Sequence, residues 1–440
     1  MKKLASLLLA LVFLALPLLT ACQSAEPAET APATAPVTAA PETDRPDDES
    51  KATGQPIVNP VRPKTGSLSE DFVRGEAAFA LDLYRKFYQE VGKNALVSPL
   101  SVSVALAMAA NGAKGETKTQ LETLLCAGMD ADTLNTQLYT YITSLANSEK
   151  ATLKAADSAW YAEDVLEPDE KFLSLLDAYY AAEVRKIDRS LAKPEQPIND
   201  WVKEKTDGMI PSILPDRTID EYTAMILVNA LSFIAEWQNK GMTTWDKPFT
   251  SSDGKEKTLP FFSSTEYGYI KGENEVGFVK RYAGGTYAFL ALLPNEGTKI
   301  ADYIASLDGE KYLTLVNSAE ERKVITVMPE FTTDSSASLV ELLKVLGVTE
   351  VFDRTKADLS GVGTTKDGYR LYVSDVLHKT HIEVTKDGTK AAAATAVVMP
   401  AATSAMPVEE PPRVVLDRPF VYAIIDTATG LPIFFGCYEG

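Results

Sequence analysis

The stretch from Gly388 to Thr403, G-T-K-A-A-A-A-T-A-V-V-M-P-A-A-T, constrains the fold of this chain more than any other. It holds four consecutive alanines, no charge after Lys390 and no aromatic residue. Written as a strand, its side chains alternate between two faces, so Thr389, Ala391, Ala393 and Thr395 share one face and Lys390, Ala392 and Ala394 the other. All four residues of the first face are small. A strand of that kind can enter between two existing strands without displacing a core beneath it. An Ala-rich linker is the other reading of the same composition. The residues downstream favour the strand. Pro407, Glu409, Glu410, Pro411 and Pro412 read as exposed, and D-R-P-F-V-Y-A-I-I-D (Asp417 to Asp426) reads as a buried strand bounded by Thr429-Gly430.

At 440 residues, 45% hydrophobic and 24% charged, the chain suits one large globular domain or two ordinary ones. With 43 basic and 61 acidic residues its formal charge is −18, a surface that repels nucleic-acid phosphates. Residues 1–21 read as an export signal: Lys2-Lys3 precede an apolar run from Leu4 to Leu19, and small residues lead up to Cys22. The run is short and interrupted by Pro17, which argues against a spanning helix. Its L-T-A-C ending resembles a bacterial lipobox, in which Cys22 is lipidated and holds the protein to a membrane by acyl chains. Residues 22–66 are rich in Pro, Ala, Thr, Glu and Asp, bury too little to offset chain entropy, and read as a disordered tether. Residues 67–440 form the folded part. Cys126 and Cys437 remain; two thiols of an exported protein can pair. The alternative is a buried free thiol at Cys437, which ends an apolar run.

Phe72 to Tyr88 carries apolar residues at Phe72, Phe79, Leu83 and Phe87, a helical pattern, and Ser98-Pro99 opens a second helix. Ser158–Ala162 reads as a strand and Glu170–Tyr180 as a helix. After Asn229 strands dominate, at Gly277–Tyr282, Tyr287–Leu293, Lys323–Met328, Leu371–Val376 and Phe420–Ile425. Early helices and late strands without βαβ alternation predict an α+β fold. G-A-K-G-E-T (Gly112 to Thr117) reads as a helix-ending turn. There is no G-x-S-x-G, H-E-x-x-H, C-x-x-C or Walker loop, and the two histidines, His378 and His381, have no ligand cluster around them. No enzyme, metal site or cofactor is expected.

H-K-T-H-I-E-V-T-K-D-G-T-K-A-A-A-A-T-A (His378 to Ala396), followed by D-R-P-F, resembles the hinge and reactive loop of serpins, the suicide inhibitors of serine proteases. Asn94 to Thr117, Ile198 to Ile210, Val228 to Trp237 and Ala357 to Val362 resemble further serpin phrases in family order. The resemblance implies a serpin fold: a large central sheet A, two further sheets, about eight or nine helices and an exposed reactive loop. It implies a monomer whose partners are serine proteases, trapped in a covalent complex. It also implies a shutter of Ser98, Pro99, Ser101, Asn229 and His378, small polar groups that exchange hydrogen bonds as the sheet parts; ordinary core and capping is the plainer reading of the same residues. Trp237, Glu330 and Lys386 correspond to the breach, where insertion starts.

The chain departs from the family pattern in two places. The family places acidic residues two before and two after the hinge glycine, where this chain has Lys386 and Lys390. Its M-P-K-F phrase here reads M-P-E-F, with Glu330. A reversed ion pair between Lys386 and Glu330 is expected, unless the two changes are unrelated. Counting the family's loop length from Gly388 puts the scissile bond at Ala402–Thr403, with Thr403–Ser404 as the neighbouring register. A small residue before the bond suits elastase-like or subtilisin-like pockets. The rival reading is a serpin-fold surface lipoprotein that binds without inhibiting. Thr389 is expected to lie exposed before cleavage and to tolerate arginine there.

Overall fold

The computed structural model describes residues 62–145, 150–221, 223–389 and 410–440. The run 62–69 lies against the helices Ala131–Leu145 and Glu170–Tyr180. The Arg62 guanidinium bonds the Asp177 and Ala178 carbonyls and pairs with the Asp177 carboxylate at 3.1 Å, and the Gly66 N–H donates to Thr140 Oγ1. The chain thus meets the folded body before Ser69. There the Ser69 side chain accepts from the Phe72 N–H and starts α1 (Glu70–Val91). The predicted Phe72, Phe79, Leu83 and Phe87 are its buried face.

β1 (Leu96–Val97) leads to Ser98, which caps α2 (Pro99–Gly112) with Pro99 in its first turn. This helix is apolar on all sides and buried on nearly all sides, so it forms the centre of the fold. α3 (Gly115–Leu124) and α4 (Ala131–Leu145) follow, then β2 (Ala151–Tyr161), β3 (Leu166–Pro168), α5 (Glu170–Tyr180), β4 (Glu183–Lys186) and α6 (Gln196–Lys205). The strand-rich part runs through β5 (Met225–Glu236), β6 (Thr244–Thr250), β7 (Glu256–Lys271), β8 (Glu275–Arg281) and β9 (Tyr287–Pro294). Next come α7 (Ile300–Ser306), α8 (Gly309–Asn317), β10 (Glu320–Pro329), β11 (Phe331–Ser338), α9 (Val340–Val345) and β12 (Gly363–Thr365). β13 (Leu377–Thr385), β14 (Gly388–Thr389), β15 (Arg413–Val415), β16 (Phe420–Asp426) and β17 (Pro432–Tyr438) close the chain.

The strands make three sheets, and the fold is α+β as expected. One has nine strands, ordered β1-β17-β16-β9-β8-β7-β10-β15 with β6 on β7. A second has six, ordered β11-β13-β14-β5-β2-β4, and β12 pairs with β3. β13 alternates in burial, with His378, Thr380, Ile382 and Val384 inward.

Two local expectations need correcting. Leu371–Val376 is not a strand; the strand begins at Leu377. Its backbone bonds sideways instead, Val373 N–H to the Val351 carbonyl and Leu339 N–H to the Val376 carbonyl, so apolar alternation alone misled. Gly112 ends α2, but Gly115–Thr117 begin α3 rather than a turn. The glycine is needed for contact: a Cβ on Gly112 would lie 2.3 Å from Val362 Cγ2, where the Ala357–Val362 phrase packs. Cys437 is a free, buried thiol pushed up to about 12 by burial, so it makes no disulfide; the Cys126 side chain lies outside the described residues. Among the described residues no helix is long and apolar enough to cross a membrane.

Candidate functional site

Gly388 and Thr389 are already inside the six-stranded sheet. Val384 pairs with Thr389 and Thr385 with Gly388 on the β13 side, and on the other side Gly388 faces Glu236 and Thr389 faces Ala235. A turn at Lys386-Asp387 brings them there, held by Thr385 Oγ1, which donates to the Gly388 carbonyl at 3.1 Å. Gly388 has φ 152°, and a Cβ there would sit 2.0 Å from the Ala235 carbonyl oxygen. Only glycine fits so close an approach.

Thr389 is fully buried, which corrects the expectation that it is exposed before cleavage. Its Oγ1 lies 2.5 Å from the Tyr282 hydroxyl. Tyr282 stacks on Trp237 with ring centroids 4.4 Å apart and an interplanar angle of 11°. Trp237 in turn donates from Nε1 to the Thr385 carbonyl at 2.8 Å, closing the circuit on the same turn. Lys280 lies 4.8 Å from the Trp237 ring and bonds Glu266 Oε1 at 2.6 Å; burial lowers the ammonium's pKa. Tyr282 and Lys280 escaped the sequence reading because their partners are distant in the chain; the only local signal was a polar pair inside an apolar strand. Lys390, Ala391, Ala392, Ala393, Ala394 and Thr395, the bond Ala402–Thr403 and Cys22 lie outside the described residues.

The reversed ion pair does not form. Lys386 Nζ pairs with Asp387 Oδ2 at 2.6 Å, and Glu330 Oε1 accepts from the Lys386 backbone N–H at 2.8 Å. The turn brings the adjacent carboxylate to the ammonium and turns the peptide donor toward Glu330. Glu330 therefore holds the turn through its backbone, not through charge.

Ser98, Pro99, Ser101, Asn229 and His378 come together beneath the sheet. The Ser98 N–H donates to His378 Nε2 at 3.1 Å and its Oγ donates to the Ile433 carbonyl at 2.8 Å. Burial pushes the imidazole down to about 4, so it is neutral and its Nε2 is free to accept. Ser101 Oγ donates to Asn229 Oδ1, and Asn229 Nδ2 donates to Asp157 Oδ1 at 2.6 Å. Sequence reasoning missed Asp157, whose signal was a single acid inside the strand-like A-A-D-S-A-W-Y.

Below β14 the sheet is open. β13 and β5 share no ladder, and a cavity of about 190 Å³ lies between β5 and the segment 370–378. Val102 and Leu106 of α2 form part of its wall, with Met225, Leu227 and Asn229 on one side and Val373 and His378 on the other. Among the described residues no group of three or more His, Cys, Asp or Glu is placed to hold a metal. The arrangement offers backbone pairing to an extended segment.

Residues 74–439 match the family described as Serpin (serine protease inhibitor). Human Serpin B8 is 30% identical over 379 residues, covering 84% of this chain and 99% of its own length. Bovine leukocyte elastase inhibitor is 32% identical over 382 residues, covering 83% and 98%. The native crystal structure of tengpin, a thermophilic serpin, superposes with a TM-score of 0.80 at 38% identity, covering 87% of this chain and 97% of tengpin.

Proposed function

The chain belongs to the serpin family of serine protease inhibitors, and from that premise we propose that it inhibits extracellular serine proteases as a suicide substrate. One observation carries the reading. The strand that starts at Gly388 is seated between β13 and β5, and those strands remain unpaired along the path it would take. Ala391, Ala393 and Thr395 would follow Thr389 inward, all small enough to enter over α2. The attacking serine of the target forms an acyl-enzyme with the loop. The freed loop then enters the sheet as a new strand and carries the protease with it. About a dozen new backbone hydrogen bonds at roughly 1 kcal/mol each supply on the order of 10 kcal/mol. This chain contributes no catalytic residue.

The reactive bond is assigned to Ala402–Thr403, and the residue before it suits elastase-like or subtilisin-like pockets. The name of the bovine relative, leukocyte elastase inhibitor, supports the same class. Cys22 would tie the protein to the membrane surface by acyl chains, with the tether as spacer; radiolabelled palmitate retained by wild type and lost in Cys22→Ala tests that. For inhibition, the experiment is incubation with elastase-like and subtilisin-like proteases followed by denaturing gels and mass spectrometry. A covalent complex and a released peptide beginning at Thr403 are expected. Clean cleavage with active protease left over, or no cleavage at all, overturns the reading in favour of a binding protein.

A further inference from the structure

Asp157 is the buried group that the strand-entry reading leaves without a role. It sits on β2 directly opposite Asn229 of β5, 5% exposed, and accepts from the Asn229 amide at 2.6 Å. Asn229 is itself part of the cavity wall, so one side chain separates the carboxyl from the gap between β5 and β13.

Among the described residues no cation compensates it. α2, which packs beneath, carries no charged residue and offers Ser101, already committed to Asn229. On β13 the inward group is the neutral His378, whose Nε2 accepts from Ser98, while His381 pairs with Asp334 at 2.6 Å on the outward side. On β4, Glu183 is bonded to Arg185 and Lys205. Lys154 of β2 itself pairs with Asp207, and Glu236 of β5 with Lys240. An ionised carboxylate here has a single neutral amide for solvation, and burying a charge so poorly partnered is costly.

We propose that Asp157 is a proton-controlled brake on the parting of β5 from β13: protonated, it leaves the sheet shut, and ionised, it drives the strands apart. The sign follows from which state solvates the charge better. Two effects compete. The charge strengthens the Asn229 bond, which holds β5 to β2 and α2. Burial opposes the charge and is the larger effect, pushing the carboxyl up to about 7 despite that bond. Moving β5 off β13 widens the cavity and admits water to Asn229 and the carboxyl behind it, so the open sheet holds the proton less tightly than the closed one. Raising the pH through about 7 therefore favours opening.

The brake rests on the sheet parting proposed above, but its test needs no protease. The intact protein is incubated at fixed temperature between about pH 6 and 8, and the fraction converted to the heat-resistant, loop-inserted form is followed on native gels. Conversion of wild type is expected to be about fivefold faster at the upper end, the part of the limiting, roughly tenfold effect of one unit of difference in proton affinity between closed and open sheet that falls within this range. Asp157→Asn, which keeps the acceptor and removes the charge, should convert at one rate throughout. His381→Gln should keep the wild-type response. A wild type indifferent to pH, a response surviving in Asp157→Asn, or one abolished in His381→Gln overturns the proposal. Should Asp157→Asn not fold, the titration of the Asp157 carboxyl carbon by NMR decides: a midpoint near 7 that coincides with the midpoint of the wild-type conversion rate upholds the brake, and one near 4, or one that differs from the rate midpoint, overturns it. A protein that shows the pH response yet traps no protease keeps the brake and loses the inhibitor reading.

Discussion

The two ends of the six-stranded sheet are built in opposite ways. At the upper end β14 fills the space between β13 and β5, and a circuit of Thr389, Tyr282, Trp237 and Thr385 seals it. At the lower end there is no ladder between those strands, and the segment 370–376 bonds elsewhere over a cavity. The seal is stacked aromatic rings and hydrogen bonds; the gap has a mixed lining in which Val102, Leu106 and Leu227 meet Asn229, His378 and Tyr372. A strand entering from the top must disturb the seal, whereas below it meets a space already half made. On the proposed mechanism the barrier to insertion therefore belongs mainly to the upper end.

Thr389→Arg tests that division most severely. A guanidinium buried without a partner costs about 3–5 kcal/mol, more than the two-residue strand gains, so Gly388–Thr389 should be expelled from the resting sheet. We expect a lower urea midpoint, altered Trp237 fluorescence and conversion from inhibitor to substrate on gels. Wild-type stability with full complex yield would mean the upper end is not the barrier.

His378 sits where sealed and open halves meet, and its neutral burial has a pH signature. A histidine with its folded pKa depressed to about 4 costs stability as pH falls from about 6.5 toward 4, because the unfolded chain takes up the proton first. The full loss is about 3 kcal/mol. Asp157, with its pKa raised, has the opposite slope over nearly the same range. Urea titrations in the Asp157→Asn background should therefore reveal the histidine's acid destabilisation, and adding His378→Gln should flatten it. A flat profile before that second change would show the imidazole to be solvated.

Smaller effects should differ in sign between the two ends. Tyr282→Phe removes the hydroxyl facing Thr389 and should lower stability by about 1 kcal/mol while speeding insertion. Ala109→Val adds methyl groups at the cavity wall and should raise stability by up to about 1 kcal/mol while slowing insertion. Equal signs in stopped-flow and melting experiments would erase the distinction. Lys386→Glu should do least, under about 1 kcal/mol in urea midpoint, because its partner Asp387 is adjacent and the pair is partly exposed.

What was legible in the sequence was local. The glycine that opens the strand at Gly388, the Ser98-Pro99 helix start and the helical stripe of Phe72 to Phe87 each depend on neighbours a few positions away. The gathering of Ser98, Ser101, Asn229 and His378 came only through family resemblance, since those residues span most of the folded part. Asp157 and Tyr282 were missed because their meaning lies in partners 72 and 107 residues distant. Leu371–Val376 misled for the same reason: alternation describes a strand's faces but not whether a neighbour is there to pair with it. The Lys386–Glu330 expectation matched charges correctly and overlooked Asp387 next door.

In mechanical terms Ser98 fastens three bodies: its side chain caps α2, its Oγ is pinned to the Ile433 carbonyl of β17, and its N–H is hooked to His378 of β13. Two of those fastenings lead into the helix and the nine-stranded sheet, and one leads into the sheet proposed to part. When β13 moves relative to α2, the hook to the imidazole is the fastening that has to slip, while the other two stay with the frame. The nine-stranded sheet is then the chassis, β13 and β5 the two panels proposed to separate, and a single serine the latch between the chassis and β13.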